Sequence, residues 1–138
     1  MSPRILLVLS PERLKSLMPL LEGQGFGIES AAGFQDGVRR LSGSEAFDLI
    51  LADADLPDGS WRNLMLFVQN AGRACEMIIC APLEDNQLWA EVIQCGAYDM
   101  IAEPFERLEV SRIIRSALDS RYMRRFTSAT EISLKTPV

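Results

Sequence analysis

Asp48-Leu49-Ile50-Leu51-Ala52-Asp53 is an apolar run with an acid at each end. Its length and unbroken apolar character are those of a strand buried on both faces of a parallel sheet. The turn-forming Leu56-Pro57-Asp58-Gly59 follows at once. Asp53 is therefore expected at the carboxyl edge of an α/β sheet, where ligand and phosphate sites gather.

Four more apolar segments read as strands: Arg4–Leu9, Gly27–Ala31, Met77–Ala81 and Tyr98–Ala102. Helical signatures fill the spaces between them. Ser10-Pro11-Glu12 supplies an N-cap, a proline at the first helical position and an acid in the first turn. Leu14, Leu17, Met18 and Leu21 then recur at the helical period until Gly23 or Gly25. Phe34, Val38 and Leu41 form a second stripe, and Leu64–Val68 belongs to a third helix ending near Gly72. Asp85 caps a fourth, with Leu88, Val92 and Ile93 facing inward and Gly96 at its end. The last helix runs from about Glu106 past Arg121 and buries Val110, Ile113, Ile114, Ala117 and Leu118. Strand and helix thus alternate five times at the spacing of right-handed crossovers. The expected fold is flavodoxin-like: a doubly wound, five-stranded parallel sheet in the order 2-1-3-4-5 with five helices. Residues 1–125 form one domain, and residues 126–138, rich in Ser and Thr, read as a tail or linker.

The chain of 138 residues suffices for one full hydrophobic core, and 48% apolar with 24% charged residues is a globular composition. A net charge of −5 argues against a non-specific nucleic-acid binder. No stretch is long and apolar enough to span a membrane, residues 1–10 lack the features of a secretory signal, and a cytoplasmic location is expected. Cys75, Cys80 and Cys95 match no metal spacing and read as reduced, packed thiols. With no histidine, the chain has no Ser-His-Asp triad, no histidine-ligated zinc and no phosphohistidine of its own.

Ile5-Leu6-Leu7-Val8, the run ending at Asp53, Leu56-Pro57-Asp58-Gly59-Ser60, Gly96-Ala97-Tyr98-Asp99 and Glu103-Pro104-Phe105 together resemble the receiver domain of bacterial response regulators. The match runs from residue 4 to about 120. The resemblance implies that Asp53 occupies the position that accepts a phosphoryl group from a histidine kinase. It also implies an acid pair holding Mg²⁺, a hydroxyl, a lysine and an aromatic switch residue. Those positions fall here on Leu9 and Ser10, on Ala81, on Glu103 and on Met100 respectively. The resemblance further implies a cis peptide at Glu103-Pro104.

These departures have physical consequences. Mg²⁺ needs one or two carboxylates in octahedral geometry, and Asp53 would have to anchor it nearly alone. Phosphoryl transfer depends on positioning and charge neutralisation, so losing metal and lysine removes most of the catalysis. Two like charges ~4 Å apart repel by about 4 kcal/mol at an effective dielectric of ~20. Glu103 is therefore expected to point to solvent or to an arginine, leaving Asp53 an uncompensated anion. No cofactor, Mg²⁺ included, and no catalysis are expected.

These acids have other possible uses. Asp53 can simply cap the following turn by accepting N–H bonds near Asp55 to Gly59. A Mg²⁺ site from Asp53, Asp55 and Glu103 is an alternative. An EF-hand starting at Asp53 fails, because Pro57, Asp58 and Leu64 fall on its fifth, glycine and glutamate positions. Gly23, Gly25 and Gly27 follow a helix, not a strand, and are no dinucleotide fingerprint. With the pocket silent, function falls to a surface. The resemblance points to the face of the fourth helix, fifth strand and last helix, where Trp89, Arg112 and Arg115 are the expected contact residues, in a basic set with Arg107, Arg121, Arg124 and Arg125. The preferred function is a phosphorylation-independent interaction or dimerisation module in bacterial signalling. Its partner would be another protein or a second copy, with DNA contact by Arg121–Arg125 a remote choice. The alternative is a conventional phosphoacceptor, modified at Asp53 by a histidine kinase.

Overall fold

The run that decided the reading is strand β3 (Leu49–Asp53), buried along its whole length, with Asp53 as its last residue. In the computed structural model, which describes residues 2–44, 46–72 and 74–135 (123–135 as backbone only), β3 lies at the centre of a parallel sheet. The chain passes through β1 (Arg4–Val8), α1 (Pro11–Leu21), β2 (Gly27–Ala31), α2 (Phe34–Leu41), β3, the short β4 (Asp55–Leu56) and β5 (Gly59–Ser60), and α3 (Trp61–Asn70). It ends with β6 (Glu76–Ala81), α4 (Asn86–Gln94), β7 (Asp99–Ala102) and α5 (Arg107–Lys135). The sheet order is β2-β1-β3-β6-β7, which is the expected 2-1-3-4-5 once the hairpin β4–β5 is set aside. The helical backbone of α5 passes through the stretch read as a tail, and residues 136–138 lie outside the described residues.

The two-residue side-chain period of the strands sorts the core into two layers. Leu6, Val8, Ile50, Ala52, Met77 and Ile79 face Trp61, Leu64, Val68 and Val92 of α3 and α4. Ile5, Leu7, Leu49, Leu51 and Ile78 face Leu17 and Leu21 of α1 and Val110, Ile114 and Ala117 of α5. Ile93, expected to face inward, is exposed. Its neighbour Val92 holds the inward position, and a helix turns the next side chain by about 100°. Among the described residues no helix is long and apolar enough to cross a membrane.

The hairpin after β3, where the sequence predicts a turn, also has a structural job. Gly33, the N-cap of α2, offers no side chain, and Asp58 at the hairpin tip accepts the N–H bonds of Phe34 (2.6 Å) and Gln35 (2.9 Å) instead. A Cβ at Gly33 would come within 2.5 Å of the Asp58 carboxylate, so the close approach requires glycine. The backbone bonds from Gln35 and Phe34 hold the Asp58 carboxyl below its ordinary pKa. A depressed carboxylate stabilises above its unfolded-state pKa, and the benefit is lost as pH falls through the folded value. The gap in melting temperature between wild type and Asp58→Asn should therefore hold steady at neutral pH and narrow below about pH 4. A gap unchanged down to full protonation would remove the Asp58 cap from the account.

Candidate functional site

Asp53 is the last residue of β3, which lies between β1 and β6, and it is 3% exposed. Both of its oxygens are engaged. Oδ2 accepts the backbone N–H of Ser10 at 2.7 Å, and Oδ1 accepts from Nη1 of Arg13 at 2.5 Å. The same guanidinium turns its Nε to Oε1 of Glu103 at 2.6 Å. One arginine from the first turn of α1 thus ties the end of β3 to the residue that follows β7. Ser10 sets this up locally: it caps α1, its Oγ accepting from Arg13 N–H at 3.2 Å.

Arg13 changes the electrostatic reading. Asp53 is not an uncompensated anion, because a guanidinium with only 14% of its side chain exposed is paired with it. Burial works against the Arg13 charge, yet its hydrogen bonds to Glu103 and Asp53 outweigh that and hold its pKa above the ordinary value. Glu103 does turn to an arginine, as expected, and the Glu103–Pro104 peptide is cis. The Asp53 oxygens go to Ser10 and Arg13 and not to the N–H groups of the turn that follows, as a capping role would have required. Burial pushes the Cys80 thiol beside this site well up, which keeps it inert.

Arg13 carried one sequence signal that went unread. A cation in the first turn of a helix opposes the macrodipole, which favours acids there. Its presence three residues after the N-cap indicates a stronger anionic partner elsewhere.

The residues do not fit a magnesium ion. Leu9 is buried and apolar, Ser10 gives its side chain to the helix cap, and the guanidinium occupies the Asp53 oxygen that a metal would need. Asp55 is exposed on the hairpin, so the Asp53–Asp55–Glu103 alternative is not assembled. Among the described residues no cluster of three or more Asp, Glu or Cys could hold a metal. Ala81 is buried opposite Ala102 and offers no hydroxyl.

The expected interaction face is divided. Trp89 (47% exposed) and Arg112 line a groove between α4, β7 and α5, together with Met100. Arg115 lies on the α1 side of α5, over the Phe26 ring and bonded to Gln24. Arg121 is a fastener, donating to the Ala74 carbonyl at 2.5 Å and pairing with Asp48 at 2.9 Å. The side chains of Arg124 and Arg125 lie outside the described residues.

No family model matches this chain. It is 32% identical over 116 residues to the swarming motility regulation protein RssB of Serratia marcescens, a match covering 84% of this chain and 52% of RssB. It is 26% identical over 83 residues to the response regulator protein PilR of Pseudomonas aeruginosa, covering 60% of this chain and 19% of PilR. The chain thus spans about half the length of RssB and about a fifth of PilR. A signal receiver domain from Vibrio parahaemolyticus superimposes with a TM-score of 0.83 at 21% identity, covering 92% of this chain and 98% of that one. A CheY-like receiver domain from Methanospirillum hungatei superimposes at 0.77 and 23% identity, covering 90% and 99%. The chain therefore has the fold of receiver domains, and the relatives it matches in sequence are a swarming motility regulation protein and a response regulator.

Proposed function

We propose that this receiver domain works without phosphorylation of Asp53, as a protein-interaction module that needs no Mg²⁺ and catalyses no reaction. The observation that carries the reading is the Arg13 bridge. Attack on a phosphodonor needs a free Asp53 oxygen, a metal and a cation for the incoming charge. Both Asp53 oxygens are already held, and the Arg13 cation is shared between two carboxylates. Local charge at the pocket is then one negative unit, and a phosphoryl group would add roughly two more. What remains available is surface, above all the α4–β7–α5 groove with its half-exposed Trp89.

Incubation with acetyl phosphate and Mg²⁺ followed by intact mass measurement tests this. The expected result is an unchanged mass, with Trp fluorescence unresponsive to Mg²⁺ up to millimolar levels. Gain of one phosphoryl group, abolished by Asp53→Asn, would establish the conventional phosphoacceptor instead, and with it a histidine kinase as partner.

A further inference from the structure

The groove between α4, β7 and α5 has a volume of about 440 Å³. Four carboxylates line it, from Glu84, Asp85, Asp99 and Glu109, against the single cation of Arg112. Several acids elsewhere on the surface are matched: Glu29 with Arg4 and Arg40, Asp36 with Arg39 and Arg40, Asp48 with Arg121, and Glu91 with Arg62. In the groove, among the described residues, neither Arg112 nor any of the four acids enters an ion pair. The Trp89 indole in the groove is held in place by its N–H bond to Asp99 at 3.2 Å and stays 47% exposed. Leu83 and Leu108 do not line the groove, but they immediately precede its residues Glu84 and Glu109 in the chain and are 73% and 77% exposed. Large exposed side chains rimmed by charge mark interaction sites, and complementary charge sets which partner is accepted.

We infer that this groove docks a cationic, apolar-tipped segment of a different protein, its arginines or lysines meeting Glu84, Asp85 and Glu109 and an aliphatic or aromatic side chain packing on Trp89. A second copy fits poorly. A two-fold contact places the same patch against itself, which would double the carboxylates and leave only one arginine from each chain to offset them. The net charge of −5 adds long-range repulsion between copies.

The inference deepens the proposed function and rests on its reading of this face as the working surface. Trp61 is buried in the core, so changes in emission on binding follow Trp89. The probe is a short synthetic peptide alternating arginine and leucine, compared with the same peptide carrying glutamate for arginine, on the whole chain. A saturable emission shift with the arginine peptide alone is expected. It should fade as salt rises and weaken at least tenfold in Glu84→Gln/Glu109→Gln, both exposed positions whose change leaves the core untouched. No saturable shift, equal response to both peptides, or undiminished binding by the double variant would overturn it. So would concentration-dependent self-association abolished by that variant, which would give the face to a second copy. A failed titration with Asp53 still unlabelled by acetyl phosphate removes this partner chemistry alone, whereas labelling at Asp53 removes the reading beneath it.

Discussion

Replacing Arg13 by alanine should cost about 3 kcal/mol of stability, because it leaves the buried Asp53 carboxylate without its counter-charge. For a chain of this size that is a fall in melting temperature on the order of 10 °C. The loss is not the worth of one surface ion pair, which is usually below ~1 kcal/mol. Asp53 is 3% exposed, and desolvated charge is tolerated only while paired. Removing the cost at its source should therefore help: Arg13→Ala combined with Asp53→Asn should be more stable than Arg13→Ala alone. Simple additivity of the two substitutions, measured by urea unfolding, would show that the bridge carries no coupling energy. Arg13→Lys should recover only part of the loss. The guanidinium presents Nε to Glu103 and Nη1 to Asp53 at once, and a single ammonium cannot reproduce that fork.

The second large effect concerns chemistry. Restoring the charges that the receiver resemblance implies, with Leu9→Asp and Ser10→Asp for metal, Glu103→Lys for the incoming anion and Arg13→Ala to free Asp53, should turn on Mg²⁺-dependent labelling by acetyl phosphate. The gain should be roughly a hundredfold or more over wild type, since a single well-placed stabilising group commonly contributes that much. Labelling should vanish when Asp53→Asn is added. Circular dichroism run in parallel checks that burying an acid at Leu9 has not unfolded the sheet. A folded quadruple variant that stays unlabelled would mean the pocket is silent for reasons other than its charges, such as the geometry of the β6–α4 and β7–α5 loops.

Much of the site was legible before any coordinates. Asp53, Ala81 and Glu103 could be placed at strand ends because parallel strands are short, unbroken and buried on both faces, which leaves a distinctive apolar run. That Glu103 would turn away from Asp53, to solvent or to an arginine, also followed from charge alone. Which arginine did not follow. Arg13 stands 40 residues from Asp53 and 90 from Glu103 in the chain, and no local pattern joins positions so far apart. The division of the arginine set was hidden for a related reason. Arg112 and Arg115 are three residues apart on one helix, yet α4 and β7 border one flank of α5 while the loop after α1 borders the other. Periodicity gives a side chain's angle around its own helix, and only packing tells what lies at that angle.

Readable from the chain alone were the strand-helix alternation, with the order 2-1-3-4-5 as its expected arrangement, and the lack of an acid at positions 9 and 10 and of a hydroxyl at 81. These are properties of segments and of residue identity, fixed by propensity, apolar period and chain connectivity. Folding in three dimensions is what fills the space beside Asp53 with a cation from within the chain, and what gathers four acids around Trp89 with no ion pair among the described residues. Both depend on where separate elements come to rest against one another, and electrostatic energy is set by distances through space.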